Sequence, residues 1–444
     1  MQSRSISITV LLLVHVLLGL VLYVAPFVAK AITVLIFGLG WLWILKNQDR
    51  DAQTLYAAAY VVGAEVLLRM FGATIFNEFG KYSIMIFAAT GIAFRGVQPL
   101  GFWFFFFLLL LMPGIFVGIQ NMALDTEVRK AIAFNISGPA CLGVFAMYTA
   151  GNRVTLEQLK KTMFFLSLPI LSVLVILFLR VPSVKEVVTG TNSNFATSGG
   201  FGPNQMSTML GLGMFLFFTM FIIDQRSKKL TWIYLGITAV MAYRGLVTFS
   251  RGGMITGLVM ILVLMGIMFW KLNPVGKAKI FGIAMGALVM GIGVWTYSSI
   301  QTSGMIDKRY ANQDAVGRVK EDKLGGREKI NKSEIQMFLD NPITGIGVGV
   351  NKQYREQMTG VEAASHNELT RMLAEHGLAG VLGLMILFLV PFFTSFTNSQ
   401  HIFLWSFFFF WLLTINHAAM RLAAPAFVYA LTLIKVVVPV KSEE

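Results

Sequence analysis

The sequence is poor in cysteine, histidine and charge, and each shortage excludes a class of protein. Cys141 is the only cysteine in 444 residues and lies in an apolar run, so disulfides, thiolate metal sites and iron–sulfur clusters are excluded. None of the five histidines is spaced from another like a metal ligand beside an acid, so we expect no metal and no cofactor. Charged residues make up 13% of the chain, against about a quarter in soluble proteins.

Long apolar runs take the place of the missing charge. Hydrophobic residues make up 56% of the chain, and many of the runs are about 18 to 22 residues long, the length that crosses a bilayer as a helix. They predict an all-α polytopic integral membrane protein with about fourteen (twelve to fourteen) transmembrane helices. The predicted spans are 6–25, 27–45, 53–70, 82–98, 100–119, 130–150, 162–181, 203–223, 231–249, 252–270, 280–300, 377–396, 400–415 and 420–440.

Three parts are predicted along the chain. Residues 1–300 form an N-terminal bundle of about eleven helices, residues 301–376 a large periplasmic loop, and residues 377–444 the C-terminal transmembrane helices. The net charge of +14 comes from Lys and Arg in short connections, where they set orientation in the membrane and do not indicate nucleic acid. Their bias predicts that both termini are cytoplasmic and that the long loop lies on the opposite side of the membrane.

The loop at 301–376 has helical patterns of its own. It contains eleven basic and eleven acidic residues. One helix is predicted from 327 to 341, where Pro342 ends it. Ser365 and Glu368 have the spacing of a capping box, which predicts a second helix with His366 at its first position and a C-terminal stop at Gly377.

Arginine, histidine and glycine on the predicted external side suggest a phosphate site. Arginine binds phosphate oxygens in pairs, and a histidine at a helix N-terminus tends to stay neutral and able to accept a proton. The residues concerned are Arg244, Arg251, Arg327 and His366, with Gly345 and Gly347 able to bring backbone amides to an anion and Asn204 and Gln205 able to contact sugar or phosphate. Each of these residues also has a plain structural interpretation. Arg251 could anchor a helix at the membrane surface, Arg327 could be a solvated loop charge, the glycines could form a turn, and Asn204 and Gln205 could simply start a helix.

An ordered series of short motifs resembles a known family. The motifs are Ser250-Arg251-Gly252-Gly253, Gly326-Arg327, Asn341-Pro342-Ile343-Thr344-Gly345-Ile346-Gly347 and His366-Asn367 with Gly377 and Gly380. They look like the successive signatures of the O-antigen ligase-related superfamily, which includes O-antigen ligases, O-antigen polymerases and protein O-glycosyltransferases. The similarity covers about 245–380 and is specific as a set.

The resemblance implies a reaction and assigns residues to it. It implies inverting, metal-independent transfer of a glycan from undecaprenyl diphosphate to an acceptor on the periplasmic face of the bacterial inner membrane. His366 is then the general base and Arg251 a diphosphate ligand, with Arg327 a further ligand. Arg244 is added from its position two helical turns before Arg251. The supporting residues are Asn367, Gly345, Gly347, Glu375 and Gly377.

The acceptor and the exact activity stay open at this stage. A ligase with a lipid A–core acceptor is favoured, and a polymerase that joins lipid-linked glycans is the alternative within the superfamily. From another class, a flippase for lipid-linked oligosaccharides would need mid-membrane sites and repeat symmetry, and no clear repeat is visible. The oligomeric state is not predicted. We expect the loop to return His366 to the membrane surface opposite Arg251, so that the site is shared.

Overall fold

The computed structural model describes residues 7–123, 127–193, 195–320, 326–360 and 363–437. Arg4 and the tail around Lys441, which the sequence analysis predicts to be cytoplasmic, lie outside these residues. Within them the chain forms eighteen α-helices, one short 3₁₀ helix and two three-residue strands.

The helices and strands follow one another as below. In chain order they are α1 Ile8–Val24, α2 Val28–Asn47, α3 Gln53–Met70, α4 Phe79–Arg95, the 3₁₀ helix Pro99–Gly101, α5 Phe102–Asn121, α6 Val128–Thr149, β1 Arg153–Thr155, α7 Leu156–Arg180, α8 Val184–Val187, α9 Pro203–Ile223, α10 Lys228–Leu246, α11 Arg251–Lys271, α12 Pro274–Gln301, α13 Met305–Tyr310, α14 Arg327–Asp340, α15 Asn351–Thr359, α16 Glu368–Thr397, α17 Leu404–Ile415, α18 Ala424–Leu431 and β2 Lys435–Val437.

Eight helices of the described part are long and apolar enough to cross a membrane. They are α2, the 3₁₀ helix continued by α5, α6, α7, α9, α11, α12 and α16, while α1 and α17 are shorter apolar helices. Such lengths at about 1.5 Å per residue match the hydrocarbon core of a bilayer. A helical, polytopic membrane protein is therefore confirmed, whereas the number fourteen stays a prediction.

The final predicted span is wrong as a continuous helix. In the described part of this span, residues 420–437, the only helix is α18, which at eight residues is too short to cross a bilayer. The chain then extends into β2, which pairs in parallel with β1 through Arg153 and Lys435, Val154 and Val436, and Thr155 and Val437. The end of this apolar run therefore forms a strand and not a helix, because its β-branched residues pair with a strand that is far away in the sequence.

The chain forms two compact units that alternate along the sequence. Unit 1 comprises Met1–Trp43, Leu55–Phe79 and Glu157–Glu321, and unit 2 comprises Ile44–Thr54, Gly80–Leu156 and Asp322–Glu444. The predicted loop is therefore divided between them.

Unit 1 is built around α9, which is buried along almost its whole length and packs against α10 and α11. Glycines allow α9 and α11 to approach closely. A Cβ at Gly253 would collide with the backbone of Ser207, and one at Gly257 with the backbone of Gly211. Small residues at such contacts are typical of transmembrane helix packing. The glycine that follows Arg251 and Gly252 is thus required by the packing of the helix that begins at Arg251.

Unit 2 centres on α5 and α16, which pack against each other, with α14 packed on α16. The predicted loop helix is confirmed as α14, which ends at Asp340, just before Pro342. Two further helices of the loop, α13 and α15, were not predicted from the sequence. They are six and nine residues long, too short for a clear periodic pattern.

Candidate active site

His366 lies in a segment without regular secondary structure just before α16, not inside the helix. The predicted first helical position is wrong, because α16 begins at Glu368 and Asn367 is its N-cap. The Asn367 side-chain oxygen accepts a hydrogen bond from the backbone amide of Leu369 at 2.9 Å. Asparagine is at least as good an N-cap as serine, so it moves the helix start two residues beyond the Ser365 cap that the sequence suggests.

The predicted capping box is also wrong. The Ser365 hydroxyl accepts from the Asn367 amide at 3.2 Å and donates to the Asn367 carbonyl at 3.0 Å, forming a local turn. Glu368 pairs with Arg371 one turn along the helix. A buried arginine offers a carboxylate a charge-assisted bond, which is stronger than a bond to a neutral amide.

The segment 417–421 holds the His366 backbone from another side. The Ala419 amide donates to the His366 carbonyl at 3.1 Å, and the Arg421 guanidinium donates to the Ser365 carbonyl at 3.3 Å. Arg421 also packs over the ring of Phe134, with its guanidinium carbon 5.9 Å from the ring centre. Sequence reasoning missed Arg421 as a site residue. Its only signal was that it interrupts an apolar run.

The surroundings of His366 keep its ring neutral. Burial lowers the pKa of His366 from 6.5 to about 4. The positive charges of Arg421, Arg327 and Arg355 lower this pKa further, in that order. Burial likewise lowers the pKa of nearby His417 to about 4. The neutral state expected from the sequence is thus supported, but its causes are burial and arginines rather than a helix dipole.

A buried ion pair lies next to the His366 segment. Arg355 of α15 and Glu334 of α14 approach to 2.6 Å, and their side chains are 1% and 0% exposed. Burial raises the pKa of Glu334, while a hydrogen bond from Thr370 and the charge of Arg355 oppose that rise. Arg355 also donates to the Ala363 carbonyl and, at 3.0 Å, to the Ser333 hydroxyl. The two residues are 21 positions apart, and nothing in the sequence pattern pairs them.

Glu375 joins α16 to the glycine segment that precedes α15. One carboxylate oxygen accepts from Arg371 at 3.1 Å, and the other accepts from the Gly349 amide at 3.0 Å. The side chains of Glu375 and Arg371 are both buried. This gives Glu375, predicted as a supporting residue, a definite structural contact.

The glycine segment 345–349 does not offer its amides to an anion. All five backbone amides are hydrogen-bonded within the protein. Their acceptors, in order from Gly345 to Gly349, are Asn341 O, Ala374 O, Glu375 O, Gly114 O and the Glu375 carboxylate. The suggested anion contact is therefore wrong, and the glycines serve close packing. A Cβ at Gly345 would collide with the backbone of Glu375, and one at Gly347 with that of Gly118.

Gly377 breaks α16 without ending it. Its φ of +56° and ψ of −133° are non-helical, and the helix continues beyond it to Thr397. A Cβ here would collide with Gly345 and Ile343. The predicted stop is thus a kink, because the transmembrane part follows at once in the same helix.

Arg251 lies in unit 1 and has polar neighbours there. It is the first residue of α11, and it approaches the Arg309 carbonyl at 3.5 Å. Arg309 in turn donates to the Phe249 carbonyl at 2.9 Å. Burial raises the pKa of neighbouring Tyr310 to about 12, although the charges of Arg251 and Arg309 act against that rise. Arg309, on the unpredicted helix α13, was missed by sequence reasoning.

The polar start of α9 is tied to the turn before Arg251. The side-chain oxygen of Asn204 accepts from the Ser250 hydroxyl at 2.8 Å, and Ser207 donates to the Ser250 carbonyl at 2.7 Å. Gln205 is half-buried beside Asn204. Asn204 therefore uses one end of its amide to hold the motif in place.

Arg244 is engaged by the protein itself. It is 1% exposed and donates to the carbonyls of Leu177 at 2.5 Å and Val181 at 3.2 Å, at the end of α7. Its guanidinium carbon lies 4.8 Å from the ring centre of Phe178. These are the contacts of a helix C-cap, so we leave Arg244 out of the phosphate ligands.

Comparison with known proteins identifies the segment that carries these residues. Residues 236–385 match the family model described as O-antigen ligase. This segment is similar to the O-antigen ligase family. The family resemblance of the sequence motifs is thereby confirmed, and the ligase segment contains Arg251, Arg327, His366 and Glu375. No match was found among curated proteins. The ligase match supports a membrane glycosyltransferase of the ligase or polymerase type.

Arg251 and His366 belong to different compact units, and each has its own set of contacts. The expectation that they share one site stays a prediction. Within unit 2, the half-buried and neutral His366 lies near the charges of Arg327 and Arg355, which belong to the matched segment, and of Arg421, which lies beyond its end. A neutral imidazole next to cations is equipped to accept a proton while an anion is bound nearby.

Proposed function

We propose that this protein is a membrane glycosyltransferase that transfers a glycan from undecaprenyl diphosphate to an acceptor hydroxyl at the periplasmic face of the bacterial inner membrane. An O-antigen ligase with a lipid A–core acceptor is favoured, with a polymerase as the alternative in the family. The observation that carries the proposal is His366, whose segment is held by Arg421 and Arg355 and whose pKa is lowered by burial to about 4. The match of 236–385 to O-antigen ligase supports it.

The proposed reaction follows from what these groups can do. The neutral imidazole of His366 takes the proton of the acceptor hydroxyl, and the hydroxyl oxygen forms a bond to the anomeric carbon of the glycan. The bond from that carbon to the diphosphate oxygen breaks, with inversion, and the diphosphate leaves with the electron pair. Arg327 and Arg421 stabilise the negative charge on the leaving group, and Arg251 is proposed as a further ligand.

Replacing His366 tests the proposal directly. In purified protein supplied with lipid-linked glycan and acceptor, His366→Ala should lower the transfer rate by about 10²- to 10⁴-fold, because the general base is lost. His401→Asn is the matched control and should keep the wild-type rate, since His401 is also a buried histidine of unit 2 and bonds to the Leu431 carbonyl at 2.8 Å. Full activity of His366→Ala would reject the assigned base.

Competing acceptors then separate the members of the family. A lipid A–core acceptor, a second lipid-linked glycan and a protein acceptor are offered together, and the product is identified by mass spectrometry. The ligase predicts glycan on the lipid A–core. Elongated lipid-linked glycan would indicate a polymerase instead. Movement of the lipid-linked donor across vesicles without any covalent product would indicate a flippase and contradict the proposal.

A further inference from the structure

The backbone on either side of His366 has a main part in positioning its ring. The segment 363–367 has no regular secondary structure. The Nδ1 atom of His366 is buried and has no hydrogen-bond partner among the described residues. In many sites a third group orients a catalytic base through its second nitrogen. Here the orientation must come from whatever fixes the chain on either side of the ring.

One ion pair fixes the chain on both sides. Arg355 donates to the Ala363 carbonyl, three residues before His366. Glu334 accepts from the Thr370 hydroxyl at 2.5 Å, four residues after His366. The 2.6 Å contact between Arg355 and Glu334 connects these two hydrogen bonds. A second bond, from Arg355 to the Ser333 hydroxyl at 3.0 Å, ties the pair to α14.

Stability alone does not explain a charged pair in this place. A buried ion pair loses much of its attraction to desolvation, and apolar side chains of similar volume often stabilise a protein equally well. An arginine fork, in contrast, holds several acceptors in fixed directions at once. The pair here uses that property to connect α14, α15, the His366 segment and the start of α16.

We infer that Glu334 and Arg355 are positioning residues that hold His366 in place for proton transfer. The inference rests on the proposed role of His366 as base. Neither residue is assigned to the reaction itself, because both side chains are fully buried and are bonded to each other and to Ser333, Ala363 and Thr370.

Two variants separate the geometry of the pair from its charge. Arg355→Lys keeps the charge but loses the fork that reaches Ala363, Ser333 and Glu334 together. The double variant Glu334→Gln/Arg355→Met removes both charges, so that no lone buried charge is left to unfold the protein. The matched control is Glu328→Gln on the same helix, whose pair with Lys332 at 2.9 Å is solvent-exposed.

Both variants should lower kcat by about 10- to 100-fold per folded molecule, with the KM for the lipid-linked donor little changed, because a small misplacement of the base affects mainly the chemical step. The control should keep the wild-type kcat.

The acid limb of the pH–rate profile should move to higher pH in the double variant, since a cation facing His366 is gone, and stay in place in Arg355→Lys. The groups facing His366 that remain are Arg327, Arg421 and His417. A lower yield of folded protein with unchanged kcat and pH limb would show a merely structural role and overturn the inference.

A second readout does not need glycan transfer. Diethyl pyrocarbonate modifies neutral imidazole, and its rate at His366 can be followed against pH by mass spectrometry. The midpoint at His366 should rise in the double variant and stay unchanged in Glu328→Gln. If this shift occurs while the wild-type protein transfers no glycan, the proposed function fails and the coupling of the pair to His366 stands. No shift together with normal transfer would reject the inference.

Discussion

Two arginines, one in each unit, are buried to the same extent but serve different purposes. Arg244 of unit 1 and Arg355 of unit 2 are each about 1% exposed. The guanidinium of Arg244 bonds to the carbonyls of Leu177 and Val181 and lies over an aromatic ring. Arg355 pairs with a carboxylate and holds the segment that leads to His366.

The comparison shows that burial and charge do not by themselves identify a functional residue. Arg244 closes the end of a helix, where unpaired carbonyls carry partial negative charge. Arg355 connects elements that are distant in the sequence and surround a candidate base. An arginine in a predicted span is a functional candidate by default, yet here the arginine beside the site is the one that the sequence pattern did not select.

The largest expected effect is on stability. Arg355→Met should lower the free energy of unfolding by about 3–5 kcal/mol, because it leaves Glu334 buried and uncompensated. Arg244→Met should cost about 1–3 kcal/mol, the range for leaving buried polar groups without partners. Unfolding of the purified proteins in detergent, followed by tryptophan fluorescence, measures both. An equal or larger loss for Arg244→Met would contradict the distinction between the two arginines.

A smaller effect is expected when the arginines are compared in catalysis. Arg421→Gln should lower kcat by about 10²-fold, the usual loss when one donor to a developing negative charge is removed. Arg244→Lys should leave the kcat of the folded fraction unchanged, because its contacts are with the end of α7. Steady-state transfer assays measure both variants. If Arg244→Lys lost activity while its free energy of unfolding stayed at the wild-type value, the result would support Arg244 as a phosphate ligand.

The smallest effect is the response of the wild-type protein to pH. The base works only when neutral, so activity is lost as pH falls through its pKa. With the pKa of His366 lowered to about 4, the transfer rate should stay level from about pH 8 to about pH 5 and fall only below that. A titration of kcat/KM tests this. An acid limb near pH 6.5 would show that burial and the arginines do not act on the base as described.

Local sequence was sufficient for much of the helical architecture. The apolar runs predicted membrane-spanning helices, and Pro342 predicted the end of α14 to within a residue. Both signals depend on residues within one or two turns of each other. The last span failed because Lys435 to Val437 pair with residues 153–155. No local pattern contains that information.

The candidate site was only partly predictable for the same reason. His366, Arg327 and Arg251 could be identified from their motifs, and the match over 236–385 supports that choice of segment. The prediction of a capping box failed because both Ser365 and Asn367 can cap a helix, and Asn367 forms the capping bond with the Leu369 amide. The amides of the glycine segment are bonded to acceptors on α5 and α16 and to Asn341, which follows α14. The sequence does not show which of these groups lie close together in space.

The sequence by itself determined that the protein is a helical membrane protein with a charged, partly helical loop carrying a His–Asn motif, because hydropathy, helix signals and short motifs act over short distances. Only the tertiary structure decided that His366 precedes its helix, that Arg421 and Arg355 face it, and that Arg244 caps another helix. These outcomes depend on which buried polar groups find partners, since a buried polar group without one is costly. Those partners belong to helices and segments that are far apart in the chain, so the local sequence does not identify them.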